Sequence, residues 1–438
     1  MRVIKEWLIA MKIVSVSVLL FIIFSAIAPP NRAIAAEKII KLGVLTFETG
    51  PVADCGLPGA IAASDLVRYI NETGGIKGTG VKIDLVRIDH GYNMSRAITA
   101  YDKMVYHDKV LGIASWGSTP NDALKQKFDK DKIPMVDCGG SSALIWPLPN
   151  YHFSAGGSYS DMARGILKWV KEVDWPKQGK TGKPRLGIVM PDNPFGWAFA
   201  NGVVSGGQML NFDMSPIHFE PLNVMDATGT SLAFKEFRVD YIWGAYTQHG
   251  YSVIARDAQR AGIIPPAKFL VYVSGIDPSV IPRSEGALSG SYFASFYAGS
   301  SDAKVLPHLK KFKDAVLRYH PSADPEKPFP NEGCYFAGLA SMALLIEGVA
   351  NAIEQVGYEK LTPQVVAKGI ESLKDINLMD IMKVDNMSVN DHRASRKVRV
   401  WTITSSGEIK VVSDWFTAPE GPDWEHKGKM LSKDLVPR

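Results

Sequence analysis

Short apolar runs alternate with segments of helical periodicity along most of the chain. The first run, residues 39–45, leads into the loop TFETGPVADCG and then into a helical pattern over 58–72 that stops at two glycines. Repeated β-α units of this size predict a parallel sheet covered by helices on both faces. The following elements of this first series are predicted as strand 81–89, helix 94–107, strand 110–115, helix 120–131 and strand 133–138.

A second series of the same kind begins after residue 155. Two series predict an α/β protein of two doubly wound parallel-sheet lobes, with a cleft at the carboxyl ends of the strands. After residue 290 the alternation breaks, and the extended stretch 290–299 suits a crossing between the lobes. The second series is predicted as helix 159–173, strand 185–190, helix 195–210, strand 214–220, helix 230–237, strand 239–246, helix 249–261 and strand 268–274. The tail is predicted as helices 304–319, 333–356 and 362–373 and strands 380–385, 397–404 and 409–413.

The first 36 residues have a different composition. Arg2, Lys5 and Lys12 precede an apolar run over 13–28, and Ala-Ile-Ala-Ala follows at 33–36. A basic start, a short apolar core and small residues at the exit are typical of a cleaved secretory signal. A membrane anchor is the alternative, but the run is shorter than the roughly 20 residues that a spanning helix needs. We therefore expect residues 1–36 to be a signal peptide and the mature protein to be periplasmic.

The charge balance argues against a nucleic-acid partner. The chain has 438 residues, a formal net charge of +4, and 46% hydrophobic and 21% charged residues. Most of the excess positive charge lies in the predicted signal peptide, so the mature chain is near neutral with interspersed charges. Nucleic-acid binding needs a clustered basic surface, and the sequence contains no such cluster.

Three cysteines, Cys55, Cys138 and Cys334, are far apart in the sequence. They show no zinc or redox spacing, so we predict neither a metal site nor a cofactor. In an oxidising compartment one disulfide could form and leave one free thiol, and all three pairings are open. Because Cys334 lies in an apolar helix, we expect it to be a buried free thiol.

Small polar and aromatic residues follow the predicted strands at their carboxyl ends. Backbone N–H groups at helix starts, together with Ser and Thr hydroxyls, form a natural socket for a carboxylate. Aromatic side chains opposite would cover the apolar part of a solute. Helix capping explains any one such loop, but six of them at one cleft favour binding. The loops are 49–55, 115–120, 138–142, 192–197, 244–251 and 274–277.

Enzyme signatures are absent from the sequence. It contains no G-x-S-x-G elbow, no H-E-x-x-H and no kinase motif. The opening loop TFETGPVADCG lacks the lysine and hydroxyl of a phosphate-binding P-loop. We therefore expect no catalytic activity.

The ordered set of segments resembles the type I periplasmic solute-binding proteins, in particular the branched-chain amino-acid (Leu/Ile/Val-like) group of ABC transporters. The resemblance is carried by KLGVLTFETGPVADCG, the SWGST and CGGSS loops, DNPFGWAFANG and the late Asp391-His392 pair. It implies two α/β lobes joined by three crossing strands that close on a ligand by hinge motion. The implied boundaries are 37–153 and 295–378 for lobe 1, and 154–294 and 379–434 for lobe 2 and the C-terminal tail.

The resemblance also implies a ligand site. Ser274 stands where amino-acid binders carry a glutamate for the ligand ammonium, and an unpaired buried ammonium would cost several kcal/mol. Either Asp277 or Asp192 replaces that glutamate, or the ligand is not an α-amino acid. In the second case Trp116 and Tyr246 suit an aromatic or planar carboxylate or amide. The implied carboxylate socket is Ser118, Thr119, Gly139, Gly140 and Ser141, and the implied pocket positions are Cys55, Phe195 and Tyr246.

The sequence thus predicts a monomeric receptor that captures a small carboxylate-bearing solute and delivers it to the membrane permease of an ABC importer. Two alternatives stay open. One is a sensor of the same fold that reports to a signalling partner, and the other is a binder of an amide or urea-type solute.

Overall fold

The computed structural model describes residues 37–429 together with Ile4, Trp7 and Leu431. The predicted signal peptide, residues 1–36, therefore lies outside the described residues apart from Ile4 and Trp7. The chain divides into residues 1–38 and a compact unit of residues 39–438, and the architecture below is that of the compact unit.

The first sheet has five parallel strands in the order β2-β1-β3-β4-β5. Strand β1, between β2 and β3, is buried over most of its length because helices cover both faces, and Leu42, Val44 and Leu45 are fully buried. The strands are β1 Ile39–Thr46, β2 Lys82–Asp89, β3 Ile113–Ser115, β4 Met135–Asp137 and β5 His152–Ser154.

The second sheet has the order β7-β6-β8-β9-β10-β13-β14, with β15 paired to β13. Strands β6 to β10 are parallel, and β13 adds to β10 in the antiparallel direction. β11 and β12 form a separate hairpin. The strands are β6 Arg185–Met190, β7 Asp213–Phe219, β8 Tyr241–Gly244, β9 Lys268–Tyr272, β10 Tyr292–Ser295, β11 Lys374–Leu378, β12 Met382–Asn386, β13 Lys397–Ile403, β14 Ile409–Val411 and β15 Phe416–Thr417.

Fourteen α-helices accompany these strands in the described residues. Short π-helical segments, Lys103–Asp108 and Val170–Asp174, extend α2 and α5. The helices are α1 Ala53–Glu72, α2 Met94–Asp102, α3 Ser118–Asp131, α4 Ser142–Ile145, α5 Tyr159–Trp169, α6 Trp175–Lys177, α7 Pro194–Met209, α8 Thr228–Phe237, α9 Gln248–Arg260, α10 Val280–Arg283, α11 Pro307–Tyr319, α12 Glu332–Val356, α13 Pro363–Glu371 and α14 Asp423–His426. Lobe 1 denotes the first sheet with α1–α4 and α11–α13, and lobe 2 denotes the second sheet with α5–α10.

Helix α12 is the central helix of lobe 1. It is the one helix among the described residues that is long and apolar enough to cross a membrane, but 83% of its apolar window is buried inside the protein. Its backbone approaches α1 closely, because a Cβ at Gly338 would lie 2.4 Å from the Gly59 carbonyl oxygen. Burial against α1 and the sheet identifies α12 as a core helix.

The chain passes between the two sheets three times. The crossing segments pair side by side: Ser154 bridges Arg393, the Ala394 N–H donates to the Ser154 carbonyl at 2.9 Å, and the Ala298 N–H donates to the Ile381 carbonyl at 2.8 Å. The predicted α/β fold, with two doubly wound lobes joined by three crossing strands, is confirmed.

The first helix begins earlier than its sequence pattern indicates. The prediction places its start at residue 58, because glycine and proline at 56–58 are typical of a loop, but α1 begins at Ala53. Gly56 fits there because the helix packs closely against Phe47, the residue after β1, and a Cβ at Gly56 would lie 1.9 Å from the Phe47 carbonyl oxygen. Cys55 therefore lies in the first turn of a helix.

A cluster of buried ions joins the third crossing segment to lobe 2. Asp161 accepts hydrogen bonds from Arg164 at 2.8 Å and from Arg393 at 3.2 Å, and these three residues are at most 5% exposed. Glu425 pairs with Arg164, and Glu420 pairs with Arg393. Burial alone would raise the pKa of Asp161, but the charges of Arg393 and Arg164 outweigh it and hold that pKa well below its usual range.

Candidate functional site

A cavity lies between the lobes, at the carboxyl ends of the strands. Its volume of about 30 Å³ holds little more than a water molecule, so a solute can enter only if the lobes move apart. Lobe 1 lines it with Phe47, Val52, Cys55, Tyr92, Trp116 and Ser118, and lobe 2 with Tyr159, Phe195, Leu222, Thr247, Tyr272 and Ser274.

The lining is aromatic and hydroxylic, and none of these twelve side chains is charged. Its polar groups are the hydroxyls of Ser, Thr and Tyr and the indole N–H of Trp116. A surface of this kind can cover an apolar body and orient a polar end by a few hydrogen bonds. Among the described residues, no group of three or more His, Cys, Asp or Glu side chains could hold a metal ion.

The start of helix α3 is the most polar part of the lining. Gly117 is its N-cap residue and supplies no side-chain cap, and Ser118 and Thr119 are the first two helical residues. The Ser118 Oγ and the Trp116 Nε1 are buried with no hydrogen-bond partner among the described residues. The partial positive charge of the helix start and these two donors together suit an anion such as a carboxylate.

Neighbouring residues hold this helix start in place. The Thr119 Oγ1 accepts a hydrogen bond from the Tyr92 hydroxyl at 3.2 Å, so Thr119 contacts a lining residue without lining the cavity itself. A Cβ at Gly59 would lie 2.8 Å from the Trp116 ring. Glycine at that position of α1 therefore leaves room for the indole.

The loop between β4 and α4 contains the other predicted socket residues, Gly139, Gly140 and Ser141. Gly139 adopts a φ of +102° and faces Phe296, and the Gly140 carbonyl accepts from the Tyr159 N–H at 3.0 Å. The Ser141 Oγ accepts from the Ala143 N–H and caps α4. None of these three residues lines the cavity.

On lobe 2 the structure brings together aromatic side chains that sequence reasoning missed. Tyr159 stacks on Phe199 with ring centroids 4.2 Å apart, and its hydroxyl lies 3.4 Å from that of Tyr272. Phe195, which the resemblance implied, packs edge-on against Tyr159. Tyr272 is the last residue of strand β9, and this place at the carboxyl end of a strand was the only feature of the sequence that could have pointed to its role in the cavity. Seven lining residues were not named individually from the sequence, although Val52 and Thr247 lie in the predicted cleft loops 49–55 and 244–251. The seven are Phe47, Val52, Tyr92, Tyr159, Leu222, Thr247 and Tyr272.

Tyr246 and Ser274 are joined behind the lining. Tyr246 is fully buried, its hydroxyl donates to the Glu220 carbonyl at 3.0 Å, and its own carbonyl accepts from the Ser274 Oγ at 2.7 Å. Ser274 reaches the cavity, but the Tyr246 side chain packs within lobe 2 and is not part of the lining.

The two candidate replacements for the glutamate lie away from the cavity. An Asp277 carboxylate oxygen accepts from the Ser279 N–H at 2.8 Å, and an Asp192 oxygen accepts from the Trp197 indole N–H at 2.8 Å. Neither aspartate belongs to the lining. The closed cavity therefore presents hydroxyls, and no carboxylate, to a ligand.

Cys55 and Cys334 form a disulfide, and Cys138 is the free, buried cysteine. The prediction that Cys334 is a free thiol is wrong. The first turns of α1 and α12 lie side by side, with the two Cα atoms 5.2 Å apart, although 279 residues separate them in sequence. Cys55 thus contributes to the cavity wall as half of a disulfide.

In three dimensions the chain resembles solved solute-binding proteins. A branched chain amino acid ABC transporter protein from Thermus thermophilus with bound valine superposes with a TM-score of 0.76 at 20% identity, over 87% of this chain and 97% of that one. A fatty acid ABC transporter substrate-binding protein from Thermomonospora curvata superposes with a TM-score of 0.73 at 21% identity, over 87% and 93%. At such identities the likeness shows the fold alone.

Sequence comparison agrees with the fold. Leu/Ile/Val-binding protein homolog 7 of Brucella abortus (strain 2308) is 24% identical over 303 residues, which is 68% of this chain and 75% of the relative. The Leu/Ile/Val-binding protein of Escherichia coli (strain K12) is 23% identical over 242 residues, 54% of this chain and 62% of that protein. The sequence profile of a family described as periplasmic binding protein matches residues 39–408. Because that match covers most of the chain, the chain belongs to the periplasmic binding protein family.

Proposed function

We propose that this protein is the extracytoplasmic receptor of an ABC importer and captures a small solute with a carboxylate and an apolar body. The observation that carries the proposal is the pair of unpartnered buried donors, Ser118 Oγ and Trp116 Nε1, at the start of α3. The relatives named for Leu, Ile and Val support a carboxylate-bearing solute.

The solute class is narrowed by the absence of charge from the lining. A ligand ammonium enclosed among hydroxyls and aromatic rings would lose its hydration without gaining a counter-ion. A carboxylate at the start of α3 would instead gain charge-assisted hydrogen bonds, and Tyr159, Phe195 and Tyr272 would cover the apolar part. Aromatic or branched aliphatic monocarboxylates satisfy both conditions.

The receptor works by a shift between open and closed lobes and needs no chemical step. The closed cavity is too small for a solute, so capture requires opening about the three crossing segments and closure into a wider arrangement than the present one. Export by the predicted signal peptide would place this receptor where a membrane permease can accept the solute.

Replacing Ser118 by alanine tests the socket. We expect the affinity for a bound carboxylate to fall about 10- to 150-fold, since a hydrogen bond to a charged group contributes roughly 1.5–3 kcal/mol. Thermal stability should change little because the hydroxyl has no protein partner among the described residues. Calorimetric titration and a thermal melt of the same variant measure both.

The matched control is Thr362→Ala, which removes a hydroxyl that caps α13. It should lower the free energy of unfolding by about 1 kcal/mol and leave affinity unchanged. If Ser141→Ala lowers affinity, the β4–α4 loop is part of the socket. If it lowers stability alone, Ser141 only caps α4. Wild-type affinity in Ser118→Ala would contradict the placement of the carboxylate.

A set of four solutes tests the ligand class: phenylacetate, 4-methylpentanoate, leucine and phenylacetamide. Leucine is 4-methylpentanoate with an added ammonium, and phenylacetamide is phenylacetate without its charge. We expect phenylacetate and 4-methylpentanoate to raise the melting temperature. At a hundredfold excess over the dissociation constant, binding should add about 2.7 kcal/mol to the free energy of unfolding. If leucine stabilises the protein more than 4-methylpentanoate does, the pocket has an ammonium site and the proposed solute class is wrong.

A further inference from the structure

The lobe 2 helix α9 starts at the mouth of the cleft and receives a cap from the other lobe. Its N-cap residue is Thr247, whose side chain makes no capping hydrogen bond. The N–H of His249, the second helical residue, instead donates to the Asp54 Oδ2 at 3.3 Å. Asp54 belongs to the first turn of α1 in lobe 1. A carboxylate at this place satisfies a free N–H and stabilises the positive end of the helix.

Both partners of this contact are held rigidly within their own lobes. The Asp54 carbonyl accepts a hydrogen bond from the Asn331 side chain, and the next residue, Cys55, is bonded to Cys334. In lobe 2 the His249 Nε2 donates to the Val224 carbonyl at 2.9 Å. The contact therefore links two elements that are each fixed within their own lobe.

Asp54 is half-buried where the two lobes meet. Burial raises the pKa of the Asp54 carboxyl, while hydrogen bonds to Thr247 and to the His249 N–H, and the charges of Arg283 and His249, act in the opposite direction. Its other oxygen, Oδ1, is buried with no hydrogen-bond partner among the described residues. A neutral amide oxygen at this position would accept the same hydrogen bond at a smaller desolvation cost.

We propose that Asp54 is a closure latch, a lobe 1 side chain that caps helix α9 of lobe 2 in the closed state and thereby slows release of the solute. The inference rests on the proposed function, because it assigns a residue to the closing step of solute capture. Asp54 does not line the cavity, so it acts on retention through the lobes and not by touching the solute.

The test compares Asp54→Ala with Asp54→Asn in the full-length protein. Stopped-flow release of phenylacetate or 4-methylpentanoate should be about tenfold faster in Asp54→Ala, and the association rate should be unchanged. Asp54→Asn should stay within about twofold of wild type, because its amide oxygen still accepts from the His249 N–H. Hydrogen exchange of the His249 amide should rise in Asp54→Ala and not in Asp54→Asn.

The matched control is Asp226→Ala. Asp226 accepts from the Thr228 N–H at the start of α8, so it makes the same kind of contact within a single lobe. We expect this variant to leave solute release unchanged. A contact that served only the stability of the fold would lower the melting temperature of Asp54→Ala without changing solute release.

Two outcomes overturn the latch. Equal release rates and equal His249 exchange in wild type and Asp54→Ala would show that the contact does not control closure. An equal loss of affinity for leucine in Asp54→Ala and Asp54→Asn, with no loss for the other solutes, would identify Asp54 as an ammonium partner.

If wild type binds none of the four solutes, the proposed solute class fails. The latch is then judged by ligand-free His249 exchange and by the scattering radius of gyration, which should increase only in Asp54→Ala.

Discussion

Replacing Cys55 and Cys334 together by alanine is expected to lower the free energy of unfolding by about 2–5 kcal/mol. The bond joins positions 279 residues apart, so its loss frees a very large loop in the unfolded chain. It also fastens the first turns of α1 and α12, where Cys55 forms part of the cavity wall. We therefore expect weaker solute binding in addition to lower stability.

Urea unfolding with and without dithiothreitol measures this effect. The matched control is Cys138→Ala, because Cys138 is the free, buried cysteine. Dithiothreitol should destabilise wild type and Cys138→Ala by the same amount and leave the double variant unchanged. Identical unfolding of oxidised and reduced wild type would contradict a stabilising role for this bond.

Asp161→Asn is expected to cost about 3–5 kcal/mol of folding free energy. The change leaves Arg164 and Arg393 buried with one negative partner fewer, and breaking a buried ion pair from one side carries a cost of this size. The loss of stability should also affect the segments that cross between the lobes, because Arg393 lies in the third of them. Asp375→Asn is the control, since the Asp375–Lys383 pair is exposed and should not affect stability measurably.

The pH dependence gives an independent check on Asp161. The folded-state pKa of this carboxyl is depressed, so its contribution to stability is complete above the unfolded value near 4 and is lost as the pH falls through the folded value. The stability difference between wild type and Asp161→Asn should therefore be constant from about pH 7 to 5 and shrink below about pH 4. A difference that stays constant down to pH 2 would contradict the ion-pair origin of the effect.

The alternation of strands and helices could be predicted from the residues because its signals are local. Apolar runs, helical periodicity and glycine stops act within a few positions, and both doubly wound sheets follow from them. Errors fell where a tertiary contact overrode the local signal. The start of α1 is one example, because Gly56 and Pro58 are typical of a loop until the packing against Phe47 is known.

The candidate site was only partly accessible from the sequence. Ser118, Trp116, Phe195, Cys55 and Ser274 follow strands at the cleft, and the structure brings them to one cavity. The direction in which a loop side chain points depends on backbone angles that residue type does not specify. Tyr246 therefore packs into lobe 2, while Tyr159 and Tyr272, which carry little local signal, form the cavity wall.

Long-range partners were decided by the tertiary structure alone. Three cysteines allow three pairings, and only the side-by-side packing of α1 and α12 selects Cys55 with Cys334. The contact of Asp54 with His249 joins residues 195 positions apart and exists only when the two lobes meet. Local periodicity determines which elements form, because neighbouring side chains share one helix or strand. Which side chains meet across the cleft depends on how those elements pack, and no short stretch of the chain contains that information.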